Sequence, residues 1–405
     1  MKKALWITAL LFFILKLQSQ IFWQFNKDSV TTWYYQEGDE FNQDSINTNY
    51  WKYVGSVRSL FPNKEQQYYT DGENHNLIDG ALHLNARREA VENKVIDWIG
   101  ENDSVFAGGK YYGINKRKFS FTSGYLETKK RFRYGYFEIK FKSPVQEGFW
   151  PAFWLYGGSP GEEIDFMELK TEKKNKIHVG RHSAKKEENY LPYRLRKRVW
   201  GDWVKFKGDL SSGFYVVSGE WTKNYIRYYL NGECIAHTQV RLDTSKNLIL
   251  NLAVPSNGPF KPGPHDTVTS SGNFEIDYIR IWSKSETDVT STKVEVSHNF
   301  PERKIEKSKL KSKNRFLYGS KKDHLGDGIC VSFFETSKNE FQLTVLGLDI
   351  PLDSKYRLFN KKGEILFFGN LLYGETNFNL ANTSSLEFTL EVVAYGAVKA
   401  FSFKN

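Results

Sequence analysis

The stretch Glu163-Ile164-Asp165-Phe166-Met167-Glu168 decides how this chain is read. It sets three carboxylates within six residues of an otherwise apolar, strand-like run. In a regular strand, residues two apart share a face, so 163, 165 and 167 align while 168 points away. Charges buried on both faces would lack partners. One extra residue, a β-bulge at Phe166-Met167, brings 163, 165 and 168 onto one face. That arrangement holds two glutamates close with an aspartate between them, the carboxyl pair that cleavage of a glycosidic bond requires. A merely solvent-facing acidic strand would not account for Ile164, Phe166 and Met167, which need burial.

Working outward, residues 21 to about 283 read as short strands punctuated by turns. Alternation is clear in Gly135-Tyr136-Phe137-Glu138-Ile139-Lys140-Phe141-Lys142 and again in Tyr225 to Leu230. Asn231-Gly232 follows at once, a strong hairpin signal. Helical periodicity is nearly absent, so the pattern predicts an all-β, two-sheet sandwich. From Ser283 to about Asn314, Ser, Thr, Lys and Glu dominate, as in a solvated linker. Strand patterning returns from Arg315. The division expected is therefore an export signal at 1–20, a main domain at 21–283, a linker at 284–314 and a smaller β-sandwich at 315–405.

The N-terminus pairs a basic start, Met1-Lys2-Lys3, with an apolar run from Ala4 to Leu15. This predicts a signal peptide, with no stable membrane span after its removal. The protein is expected to be secreted or cell-surface, and a monomer. Two cysteines, Cys234 and Cys330, are expected to be unpaired, and no Cys/His cluster has zinc-like spacing. The formal charge of +10 is compatible with nucleic acid, with an anionic polysaccharide or with plain solubility. Export and the acidic motif argue against nucleic acid, leaving a polysaccharide as the expected partner. The aromatic content of 16% suits core filling, and some Trp faces are suited to stacking on pyranose rings.

Further motifs stand in order around the acidic strand: Asp39-Glu40-Phe41, Asn63-Lys64-Glu65-Gln66-Gln67-Tyr68-Tyr69-Thr70, Thr122-Ser123-Gly124, Tyr134-Gly135-Tyr136-Phe137-Glu138, Trp150-Pro151-Ala152-Phe153-Trp154, Asn251-Leu252-Ala253-Val254 and Ile276-Asp277-Tyr278-Ile279-Arg280-Ile281-Trp282. Across residues 33 to 283 this set resembles glycoside hydrolase family 16, in the laminarinase, agarase and carrageenase-like branch with the bulged Glu-x-Asp-x-x-Glu strand. The resemblance implies a concanavalin A-like β-jelly roll with a concave sugar cleft. It implies a retaining endo-β-glycanase with Glu163 as nucleophile, Glu168 as acid/base and Asp165 hydrogen-bonded to Glu163. An ionised Glu163 and Asp165 would favour a protonated Glu168.

The same resemblance makes Trp150 and Trp154 cleft residues and gives Asn63 and Arg88 sugar contacts, with a surface role as the plainer alternative for Arg88. His178, Gly180 and His182 share a face by the two-residue period, and because their strand follows the acidic one His178 is expected to reach a sugar hydroxyl near Glu168. A structural histidine is the plainer alternative. Catalysis needs no cofactor. A structural calcium held by Glu40 and Asp277 is implied, and a structural hydrogen bond would explain those residues equally well. Glu162 should face away from the cleft.

Two departures bear on the substrate. Pro255-Ser256-Asn257-Gly258-Pro259-Phe260 replaces the Gly-Gly-x-Trp loop common in laminarinases. The stretch from Lys185 to Asp209 is long and basic, with Arg194, Arg196, Lys197 and Arg198 suited to sulfate or carboxylate. The Asn63–Thr70 segment favours a β-1,3-glucan. A sulfated galactan is the alternative substrate, and a polysaccharide-binding protein or a transglycosylase are the alternative functions. The smaller C-terminal domain is open between a sorting domain, a carbohydrate-binding module and a stabilising appendage.

Overall fold

A computed structural model describes residues 21–26, 29–54, 58–59, 63, 65–107, 110–158, 161–183, 199–256, 260, 263, 271–284, 328–347, 350–383, 385 and 387–404. The export signal, nearly all of the linker and the Arg194–Arg198 cluster lie outside the described residues. Among those described, the chain is built of strands and turns, and no helix is long and apolar enough to cross a membrane.

The larger of two compact units comprises Gly38–Leu230 and Ile235–Arg280. One of its sheets has seven strands, in the order Val199–Lys205, Lys176–His182, Glu162–Glu168, Trp150–Gly157, Asn247–Ala253, Tyr125–Thr128 and Trp51–Lys52. The facing sheet runs Glu233–Gln239, Tyr225–Leu230, Tyr215–Trp221, Gly135–Lys142 and Ser271–Ser283, then through Ala81–Lys94 to Lys116–Ser123. Each strand sends alternate residues inward. Ile164, Phe166 and Met167 are fully buried between the sheets, with Phe137, Phe153 and Tyr228 packed around the Phe166 ring. The jelly-roll expectation holds. Asn231 and Gly232 have φ of 49° and 82°, the left-handed pair that a tight hairpin turn demands.

The smaller unit differs from the division drawn at residue 283. Among the described residues it comprises the C-terminal strands together with 21–26, 29–37, Asn231–Cys234 and 281–284. The strand Ile21–Asn26 pairs antiparallel with Ile329–Ser337, which continues into Glu340–Leu346 and Gly374–Asn379. A four-stranded sheet, Ile365–Asn370, Lys355–Asn360, Glu387–Ala394 and Ala397–Lys404, completes the unit. The reason is alternation: Ile21, Trp23 and Phe25 place three apolar side chains on one face. They join Val331, Phe333, Leu390 and Phe403 in one buried cluster. Cys234 and Cys330 are both buried thiols.

Trp23 is 2% exposed in this cluster. Trp23→Ala should lower the stability of the smaller unit by about 3–5 kcal/mol. Amide exchange in Ile329–Ser337 and Glu340–Leu346 would read this out, and unchanged protection there would contradict the assignment of the first strand.

Candidate active site

The acidic strand lies centrally in the seven-stranded sheet, and its bulge is where the sequence placed it. Against Trp150–Gly157, Met167 pairs with Phe153 and Asp165 with Trp154, leaving Phe166 as the extra residue. On the other side, Asp165 pairs with Gly180 and Glu168 with His178, again one residue long. Glu163, Asp165 and Glu168 therefore share a face, while Phe166 and Met167 both turn into the core. The core accepts the extra ring because Gly219 in the opposite sheet has no side chain; a methyl there would overlap Phe166.

Each carboxylate has a distinct environment. Glu168 Oε1 accepts a hydrogen bond from Trp150 Nε1 at 3.1 Å, and Oε2 lies 2.6 Å from His178 Nδ1. Glu163 Oε1 lies 3.4 Å from His182 Nε2, and Asp165 Oδ2 lies 3.7 Å from the same nitrogen. Asp165 is 3% exposed. Burial pushes its carboxyl well above the usual range, the charges of Glu163 and Glu168 add to this, and so does its hydrogen bond with Glu163. Burial also raises Glu163, His182 opposes this, the charge of Glu168 adds to it and the hydrogen bond with Asp165 opposes it, leaving the carboxyl above its usual range. Burial and the two neighbouring charges thus favour the protonated form of Asp165, with its hydrogen bond directed to Glu163. These influences work against the ionised Asp165 expected from the sequence, because it is the most buried of the three acids.

Two glycines clear space behind these groups. A Cβ at Gly180 would stand 3.0 Å from Asp165 Oδ2, and one at Gly201 would stand 2.9 Å from His178 Nε2.

Trp154 is half-buried, with Nε1 donating to Asn251 Oδ1 at 2.8 Å. Asn251 Nδ2 in turn donates to Tyr69 OH at 2.9 Å, so the indole is locked from below. Trp150 stacks on Phe260 at 4.1 Å and an interplanar angle of 4°. Phe260 also touches the rings of His178 and Trp203. Phe260, Trp203, Asn251 and His182 were not singled out as site residues from the sequence. His182 had a signal, the two-residue period from His178; Phe260 had only the unusual loop that carries it.

Asn63 and Arg88 engage other partners. Asn63 Nδ2 donates to Glu65 Oε1 at 3.0 Å, and the Arg88 guanidinium lies 4.6 Å from the Phe121 ring centre. Glu40 accepts two hydrogen bonds from Arg280, at 2.8 and 2.9 Å, and Asp277 pairs with Lys140 at 2.7 Å. Each carboxylate charge is already matched by a cation, so these two residues as arranged do not fit a calcium site. Glu162 faces away from the cleft, held by buried Lys246 at 2.7 Å and by Thr244 at 2.6 Å.

Residues 64–259 match the sequence profile of Glycosyl hydrolases family 16. This stretch, which contains the acidic strand, is a glycoside hydrolase family 16 domain. Among curated relatives, a glucan endo-1,3-beta-glucosidase of Cryptopygus antarcticus is 27% identical over 279 residues, which is 62% of this chain and 92% of that protein. A kappa-carrageenase of Pseudoalteromonas carrageenovora is 25% identical over 239 residues, 52% of this chain and 57% of the relative. The X-ray structure of an endo-beta-1,3-glucanase from Pyrococcus furiosus superposes with a TM-score of 0.50 at 25% identity, covering 62% of this chain and 95% of that one. Apart from Asn231–Cys234, the matched stretch falls in the larger unit, which also holds the acidic strand.

Two outcomes follow from this geometry. Gly219→Ala should destabilise the family 16 domain by about 1–3 kcal/mol through displacement of Phe166, read by urea unfolding; an unchanged midpoint would show that the bulge does not depend on that space. An acid whose folded pKa is raised stabilises the fold fully below its unfolded pKa and loses that contribution as pH rises through the folded value. Asp165→Asn should therefore gain stability relative to the native chain between about pH 4 and neutrality. A difference that stays constant across that range would mean Asp165 is not held protonated.

Proposed function

We propose that this protein is an endo-acting β-1,3-glucanase that cleaves with retention of anomeric configuration. The observation that carries the reading is the bulged strand, which sets Glu163 and Glu168 on one face with a buried Asp165 between them. The names of the Cryptopygus and Pyrococcus relatives support the glucan.

In the first step the Glu163 carboxylate attacks the anomeric carbon. The bond to the leaving sugar breaks as Glu168 passes its proton to the leaving oxygen. In the second step the Glu168 carboxylate takes a proton from water, the water oxygen bonds to the anomeric carbon, and Glu163 departs. Asp165 steadies Glu163 as a carboxylate by donating its hydrogen bond. His178 faces Glu168 across 2.6 Å, and a neutral imidazole nitrogen accepts in one tautomer and donates in the other. That contact therefore survives whether Glu168 is acid or carboxylate. Trp150 holds the other oxygen in both states, and Trp154 offers a fixed aromatic face to a sugar ring.

A sulfated galactan is the second reading, favoured by the similarity to a kappa-carrageenase. Export through the N-terminal segment, a cell-surface or secreted location and a monomeric state belong to the same proposal. Cleavage itself requires no cofactor.

With laminarin as substrate, Glu168→Gln should lower kcat by about 10²–10⁴-fold, and Glu163→Ala by at least as much while laminarin binding persists. Proton NMR of early products should show the β-anomer first. Initial release of the α-anomer would overturn retention, and full turnover by a folded Glu163→Ala variant would overturn the nucleophile.

A further inference from the structure

Beyond the cleft, the family 16 domain carries an open groove of about 720 Å³. Its walls come from three segments: Glu65, Gln66 and Ser256; the hairpin strand Lys110–Ile114; and the strand Lys116–Ser123. The groove shares its frame with the cleft. The Gln66 backbone N–H donates to Val254 O and its side chain to Pro255 O, both at 2.9 Å. Val254 lies three residues beyond Asn251, which fixes Trp154.

The lining combines two chemistries. Lys110, Arg117 and Lys118 bring three cations to one concavity. The carboxylate in the lining, Glu65, is buried and held by Asn63 and Gln67. Glu92 stands opposite Lys118 in the strand ladder, so the excess remains positive. Beside the cations, Tyr111 is 55% exposed and its ring packs at 5.4 Å against that of Phe106, itself 64% exposed. Exposed aromatic faces on paired strands suit stacking on pyranose rings, and ammonium and guanidinium groups suit sulfate or carboxylate oxygens.

We propose that this groove is an outer subsite for an anionic glycan, with Tyr111 carrying a sugar ring and Lys110, Arg117 and Lys118 receiving its acidic substituents. The proposal rests on the glucan-cleft reading for what lies next to the groove. It makes the enzyme one that favours acid-substituted chains over neutral ones.

The test uses the full chain carrying Glu163→Gln, so that ligands bind without being cleaved. Calorimetry compares neutral laminari-oligosaccharides with the same oligosaccharides after chemical sulfation or carboxymethylation. Either anionic probe should bind at least about five-fold more tightly at low salt, and the advantage should vanish near about 0.5 M salt. Lys110→Ala with Lys118→Ala should abolish the preference and leave neutral affinity within about two-fold, whereas Lys207→Ala with Lys223→Ala should leave the preference intact. Tyr111→Ala should weaken both ligands. Equal affinity for neutral and anionic probes would overturn the proposal, as would equal losses from the two lysine pairs, which would make the effect one of net charge. Cleavage of laminarin by the unmodified chain is scored separately, so failure of the glucanase reading is distinguishable from failure of the groove.

Discussion

One surplus residue governs the site. A regular strand cannot show Glu163, Asp165 and Glu168 on the same face, because the side-chain period is two. Phe166 breaks that period, and both neighbouring strands register the break. The bulge persists because the residues it displaces are Phe166 and Met167, whose burial opposes any slip that would expose them. Gly219 completes the arrangement from the facing sheet by leaving room for the ring. The chemistry on the concave face is thus held by packing on the other side of the strand.

Crowding three acids raises an electrostatic problem, and environment resolves it differently for each. Asp165, the most buried, is pushed toward its protonated form by burial and by the charges of Glu163 and Glu168. Glu163 gains a hydrogen bond with Asp165 and the proximity of His182. Glu168 has an indole N–H on one oxygen and an imidazole on the other. Elsewhere in the larger unit acids are settled by direct pairing: Glu162 with Lys246, Glu40 with Arg280, Asp277 with Lys140. The contrast separates framework carboxylates, each beside a lysine or arginine, from the cleft glutamates, which lie beside imidazole rings. A strong cation beside Glu163 or Glu168 would hold the glutamate ionised throughout, which suits a nucleophile but defeats an acid.

The acidic strand was legible because burial and charge conflict within six residues and a bulge resolves that conflict. The jelly roll was legible from alternation and from the Asn231-Gly232 turn. The domain division was less so. Ile21, Trp23 and Phe25 alternate like any strand, and nothing local says which sheet they will extend; that choice is made by Ile329–Ser337, some three hundred residues away. The upward push on the Asp165 carboxyl was hidden for a similar reason, since it depends on burial by strands distant in sequence. Glu40 and Asp277 were read as a pair because the sequence does not reveal that Arg280 and Lys140 reach them first.

Phe260 shows how specificity can be built from behind. Its loop replaces a tryptophan-bearing segment common in laminarinases, and its ring lies flat on Trp150. The Trp150 face covered by Phe260 is closed to a sugar ring. The indole N–H, directed at Glu168, is fixed by the stack, and His178 is bounded by Phe260 and Trp203. Both groups that touch Glu168 thus rest on one phenylalanine from a loop outside the sheet. A change in that loop would alter the substrate's fit and the acid's orientation together, because the same ring serves both.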